Sequence, residues 1–268
     1  MSVLVNTLML TALNKRILLY TSGVLSTIFA LWYVITTGEW YWLVWLLIYE
    51  TITTTITNDI GLHRYFSHGS FKTGPIRRFL LIWLSILPGT GSVINWSSLH
   101  RHHHNHADGE RDVHSPHASI LGSMNFFQFN SEKWFENKDI NFMHKDLLRD
   151  PMLQLNHKYY FTAWLVLILV LLIVSWKLLF LIVLPGMFLM NLNSGIVINT
   201  LSHLKIPGSY RNYDTPDKSY NNKYLTLISQ QALHNNHHAH PRDYNQAKFP
   251  GEYDLAAWFI KTFLKTND

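Results

Sequence analysis

His234, His237 and His238 stand at positions i, i+3 and i+4, and the same spacing recurs at His100, His103 and His104. On a helix those three positions share one face, so three imidazoles can converge on one point. A third group, His63 and His68, precedes both. Neutral imidazole is a ligand for iron, zinc, copper or nickel. These eight histidines, with His203 as a ninth candidate, are too many for one ion of four to six ligands, so two metals are expected. Adjacent residues on a helix differ by about 100°, so His103 and His104, and likewise His237 and His238, can each turn to a different metal. His63 and His68 are about 140° apart on an α-helix and are expected not to share a metal unless that helix breaks.

The remaining seven histidines (102, 106, 114, 117, 144, 157 and 240) are expected to be ordinary surface residues. A His-rich tract can bind metal adventitiously; the repeated spacing argues against that here. The chain of 268 residues has no cysteine, which excludes disulfides, thiolate metal sites and a cysteine nucleophile.

The elements that must position these groups are membrane helices. Composition is 48% hydrophobic and 14% aromatic with only 15% charged residues, although mean hydropathy is just +0.03 because a large polar portion dilutes the apolar runs. Four spans are expected, at about 17–37, 40–60, 159–176 and 178–201, each near the roughly 20 residues needed to cross a bilayer. The second becomes polar through Thr53, Thr54, Thr57, Asn58 and Asp59; such residues on a span usually face other helices. A kink is expected at Pro185-Gly186. An interfacial helix is expected at about 76–88, and 61–158 with 204–268 form a polar cap, the whole being one domain. Met1 to Leu13 has no leading positive charge or small-residue cleavage site and reads as an interfacial lead-in. Lys15, Arg16, Lys72, Arg77 and Arg78 lie on the side of the long loops, so both termini and every histidine group are expected on the cytoplasmic side. The formal charge of +5 and pI near 9.3 suit anionic headgroups. Nucleic acid is not expected as a partner, since no basic run is interleaved with aromatics.

With the order His63-Arg64-x-x-x-His68, His100-Arg101-x-His103-His104 and His234-Asn235-x-His237-His238, the chain resembles the membrane fatty acyl desaturases of the delta-9 type. The likeness includes Gly61 before the first group and Asp108 to His117 after the second. It extends to Asn199-x-x-x-His203 and to Tyr210-Arg211-Asn212-Tyr213 with Asp217. The resemblance implies an all-α polytopic membrane enzyme of four spans whose cytosolic helical cap holds a di-iron centre. It implies two iron ions (Fe2+/Fe3+) held by His63, His68, His100, His103, His104, His203, His234, His237 and His238. Asn199 would contact one iron through water, and Trp96, one turn before His100, would line the substrate tunnel, the alternative being a plain core aromatic. O2 is the implied co-substrate, and a cis double bond in a saturated acyl chain the product. Electrons would come from ferredoxin or a b-type cytochrome.

Four places depart from the family's pattern. Ser98-Leu99 replace the Arg-Asp that contributes to CoA binding in animal members. Gln230-Gln231 replace Gly-Glu ahead of the third group, which brings Gln231 in as a neighbour of a ligand. Asp112-Val113-His114 replaces Asp-Pro-His, and the Ser-His-x-Gly-Trp segment is not recognisable in Leu121 to Phe127. The acyl carrier (lipid, acyl carrier protein or CoA) and the bond position are therefore left open. Hydroxylation or oxidation of an existing double bond is the nearest rival chemistry; a metal transporter or storage protein is the rival from another class. Glu50 lies too deep to be a ligand, and Asp59 is expected near the surface, paired with a base.

Overall fold

The computed structural model describes residues 12–112, 114–124 and 145–266. Its architecture is helical, with one two-stranded antiparallel pair, Ser209–Tyr210 (β1) against Asn221–Asn222 (β2). Helix α1 covers Ala12–Thr37. Helix α2 begins as an ordinary helix over Tyr41–Ile52 and continues over Thr53–Ser67 as a wider π-type helix. Helix α3 is Pro75–Leu84 and α4 is Val93–His106. Helices α5 (Pro151–Val174) and α6 (Trp176–His203) follow, then α7 (His234–Ala239) and α8 (Leu255–Leu264).

The helix starts are written in capping residues. Ser92 accepts from the Asn95 amide at the head of α4, and Asp150 accepts from the Met152 and Leu153 amides at the head of α5. Pro151 takes the first helical position of α5, where no amide is needed. The third span thus starts at Pro151 and not at the expected 159, because the Asp150 cap sets the start eight residues before the apolar run becomes continuous. Ser175 is extended and caps α6, which cuts the long apolar run close to the expected point. The second helix does not stop at Ile60 but runs to Ser67, and the interfacial helix is shorter than expected, with turns from Ser85 to Pro88.

Among the described residues, three helices are long and apolar enough to cross a membrane: Ile17–Thr37, Pro151–Val174 and Trp176–His203. Helix α2 is not among them, because its second half is polar. There Thr53, Thr54, Thr57, Asn58 and Asp59 are all buried against other helices, as polar span residues tend to be. Helix α6 is the most enclosed and α5 the least; α5 turns Leu165, Val166, Leu169, Val170 and Ile173 outward. The core between these helices joins Leu19, Trp164, Leu179, Val183, Leu184 and Met187. At one end, Glu39 accepts from Trp42 Nε1 (2.8 Å) and Tyr41 OH (2.8 Å) and pairs with Lys177 Nζ (3.0 Å). The turns α1–α2 and α5–α6 therefore meet at that end, and the histidines at the C-terminal ends of α2 and α6 lie at the other.

The Pro185-Gly186 pair does not break α6. The chain widens over Leu179–Val183 just before the proline and is helical across it, which accommodates the missing amide. Gly186 is there for closeness: a Cβ at that position would lie 2.4 Å from Tyr49 Cδ1 on α2. Gly186→Ala gains up to ~1 kcal/mol in helix propensity but overpacks the contact by ~1–3 kcal/mol. A lowered melting temperature in detergent is expected, recovered when Tyr49→Leu is added.

Candidate metal centre

The nine histidines come together as two groups whose ligand atoms lie within 4.8 Å of one another in each. The first is His63, His68, His100, His104 and His237; the second is His103, His203, His234 and His238. Each adjacent pair on a helix is divided between the groups, as the 100° step requires. The expectation for His63 and His68 is overturned: they stand in the same group. The reason is the widening of α2, where bonds such as His68 N to His63 O (3.2 Å) span five residues. That winding places residues five apart above one another, where an α-helix would separate them.

In the first group, His63 Nε2 lies 2.9 Å from His237 Nε2, which lies 2.8 Å from His104 Nε2. His100 Nε2 is 3.1 Å from His104 Nε2 and 2.9 Å from His68 Nε2. In the second, His234 Nε2 is 2.9 Å from His203 Nε2 and 3.1 Å from His238 Nε2.

Four carboxylates fix the direction of these rings. His63 Nδ1 faces Asp59 (3.1 Å), His103 Nδ1 faces Asp112 (2.8 Å), His203 Nδ1 faces Asp108 (2.9 Å) and His238 Nδ1 faces Asp217 (3.2 Å). An ionised carboxylate only accepts, so each Nδ1 carries a proton and Nε2 is the ring atom left to offer a lone pair. The Nε2 lone pairs of His203 and His238 both point at His234 Nε2, which has at most one proton to offer. Such a convergence is satisfied by a cation, and these residues fit a metal on that ground. Carboxylate behind imidazole is also the usual support of a metal ligand. Burial favours the neutral, ligating form of six of them: it pulls His68, His100, His104, His234 and His237 well below the usual histidine range, and His238 down to about 4. Although burial alone would raise Asp112 and Asp217, hydrogen bonds from His103 and His238 hold both below the usual carboxylate range.

The other residues of the motifs hold the groups in place. Arg64 is fully buried; its Nε and Nη2 donate to the two oxygens of Asp59 (2.9 and 2.8 Å), and Nη1 reaches Asp254 (2.8 Å), the cap of α8. Asp59 is paired with a base as expected, and it is buried within the protein. Arg101 donates to the carbonyls of Phe66 and Ser67, just before His68, and grips Asp146 with both ends of its guanidinium. Asn235 and Asn236 point away from the rings, Asn235 accepting from the Asn212 and Tyr213 amides and Asn236 donating to Glu252. Arg211 ties Thr215 and Asp217 carbonyls together, which shapes the loop that presents Asp217.

Trp96 stacks on His100, with centroids 4.9 Å apart and planes at 19°, and packs against the core around Leu62. Asn199 donates to the Ser123 carbonyl at 3.3 Å, and Gln231 is buried on the turn before His234. Neither hydrogen-bonds a clustered imidazole among the described residues. Two of the histidines expected on the surface, His102 and His114, are buried instead. His102 is buried and donates to the Arg111 carbonyl. His114 is buried beside His103. His117 is exposed as expected, and donates to the His203 carbonyl at 3.1 Å. His106, His157 and His240 are nearer the surface and contact His102, Ser92 and Tyr213; His144 lies outside the described residues.

The aspartates are what the sequence reading missed. Asp59, four residues before His63, carried a usable helical signal; Asp108, Asp112 and Asp217 sit on loops, where spacing says nothing. Asp217→Ala is expected to weaken metal binding ~10–100-fold, while the exposed Asp214→Ala leaves it unchanged, as metal titration of the purified protein would record.

The sequence profile of a family described as Fatty acid desaturase matches residues 40–247. The chain is 31% identical over 251 residues to a hex-5-enoyl-[acyl-carrier protein] acetylenase of Moorena producens (strain JHB), covering 84% of this chain and 75% of that protein. It is 30% identical over 200 residues to an sn-1 stearoyl-lipid 9-desaturase of Anabaena variabilis, covering 72% and 70%. With stearoyl-CoA desaturase 5 of Bos taurus it shares 27% over 226 residues, covering 78% and 64%.

Proposed function

This chain belongs to the fatty acid desaturase family and is an oxidoreductase, and from that membership we propose that it inserts a cis double bond into a saturated acyl chain, in the manner of the delta-9 enzymes, at a di-iron centre using O2. The single observation that carries the reading is the pair of imidazole groups, five and four strong, in a chain whose family desaturates acyl chains. The balance is –CH2–CH2– + O2 + 2 e− + 2 H+ → –CH=CH– + 2 H2O. An unactivated methylene is beyond any acid–base group; the bound irons supply the reductive activation of O2 that its oxidation needs.

The chain's own residues do the rest. His63, His68, His100, His104 and His237 hold one iron, and His103, His203, His234 and His238 the other. The four aspartates keep each Nδ1 proton in place, so the facing Nε2 atoms stay free to ligate. Asn199, one turn before His203, supports the second iron through water, and Gln231 lies beside His234. Trp96, flat against His100, forms a wall of the substrate tunnel and sets which methylene pair lies beside the centre. Helix α2 crosses the membrane as a fourth span, supported by the meeting of the two short turns at Glu39 and Lys177. The cap then faces the cytoplasm by the distribution of lysine and arginine. A lipid, acyl carrier protein or CoA carries the acyl chain, and ferredoxin or a b-type cytochrome supplies the electrons.

Lipids of an expressing host, analysed by mass spectrometry with the double bond located by derivatisation, test this. A new monounsaturated chain is expected, absent from the same host carrying His237→Ala. No difference between the two with a competent donor present would remove the reading. A product lighter by two hydrogens but derived from an unsaturated chain would favour the second reading, an enzyme acting on an existing double bond. The 31% identical relative named as an acetylenase supports that second reading. An added oxygen would instead mark a hydroxylase.

A further inference from the structure

A cleft of 1110 Å³ opens between the segment after the first histidine group, the end of α4, the start of α5 and the chain after α7. His68 and His104, both half-buried members of the five-histidine group, line it. Its remaining polar lining is dominated by cations: Lys72, Arg78, Arg101 and Arg242 against Asp146 and Asp150. Both carboxylates are already engaged, Asp150 by Arg78 and Asp146 by Arg101. Lys72 and Arg242 are exposed and make no ion pair among the described residues. The cleft touches α4 at Arg101, His104 and Asn105, whereas Trp96 lies toward the other end of that helix and does not line it. With Trp96 as the tunnel wall proposed above, the acyl chain and whatever enters the cleft approach the first group from opposite ends of α4.

Resting on the desaturase reading, we propose that this cleft is the docking surface for the external electron donor, an acidic redox protein that delivers electrons by way of the His68 and His104 edge. The chain has no cysteine for a cluster of its own. Each double bond takes two electrons, so two one-electron donors are oxidised per turnover. Uncompensated cations around a concave mouth steer an acidic partner and raise its on-rate, an effect that falls with ionic strength.

The test uses the full-length protein with a plant-type ferredoxin kept reduced by NADPH and its reductase, and separately with reduced methyl viologen as a small donor. Lys72→Glu with Arg242→Glu is expected to raise the half-saturating ferredoxin concentration about tenfold and to flatten its salt dependence. Turnover at saturating ferredoxin, and turnover with viologen, stay as in the unaltered chain. An unchanged ferredoxin dependence overturns the proposal. So does a shift that falls on the acyl substrate instead, which would make the cleft the seat of an acidic acyl carrier. A fall in the viologen-driven rate to the same extent also overturns it, since the damage would then lie in the centre. If the unaltered chain forms no double bond with either donor, it is the desaturase reading itself that fails.

Discussion

Replacing His237 by alanine is expected to abolish double-bond formation and to lower bound metal. Its Nε2 is the meeting point of the first group, 2.9 Å from His63 Nε2 and 2.8 Å from His104 Nε2, so its loss opens the set between α2 and α4. Removing a supporting residue behind a ligand costs ~10–100-fold in metal affinity or activity; removing this ligand exceeds that range. His102→Ala is the sharp comparison, because His102 belongs to the same run of histidines yet spends its Nε2 on the Arg111 carbonyl. Metal per chain and product yield should fall for His237→Ala, while His102→Ala keeps metal at the centre. The reverse pattern would mean that the two groups are not the metal site.

Arg64→Ala should have the largest effect on stability. Arg64 and its partners Asp59 and Asp254 are all buried, and the guanidinium binds Asp59 through two bonds while holding Asp254 with a third. Without it two carboxylates face a dry space with no cation. Breaking a buried pair in this way costs ~3–5 kcal/mol, a large share of the ~5–15 kcal/mol of a folded domain. Asp59 also orients His63, so the loss of stability and of metal should come together. Arg64→Lys should recover little, because a lysine cannot make the two-point grip. Thermal unfolding of the detergent-solubilised protein measures the first effect and metal analysis the second. A full recovery by lysine would show that charge alone, and not the fork, holds this junction.

The candidate centre was partly legible because a helix advances by a fixed angle. That constant turns His100, His103 and His104 into a face and sends His103 and His104 to different groups, and it does the same for His234, His237 and His238. It misplaced His63 and His68 because α2 is wider than an α-helix there, and nothing in six residues announces that change of winding. The membrane helices were legible as apolar runs, with Ser175 as their divider, but Asp150 moved the start of α5 and the polar half of α2 hid its length. His102 could not be told from a surface histidine, since its partner is the carbonyl of Arg111, which no side-chain pattern encodes.

The sequence by itself determined the ligand chemistry, the local spacing of the imidazoles and the family, all of which depend on residues close together or in fixed order. Only the tertiary structure decided which rings meet and how each is turned. His104 and His237 are 133 residues apart and touch at 2.8 Å. The proton on His203 is directed by Asp108, a residue held at a φ of 60°, and the one on His238 by Asp217, presented by a loop that Arg211 gathers. Those are contacts between distant segments, fixed by the packing of the cap, and a helical period carries no information about them.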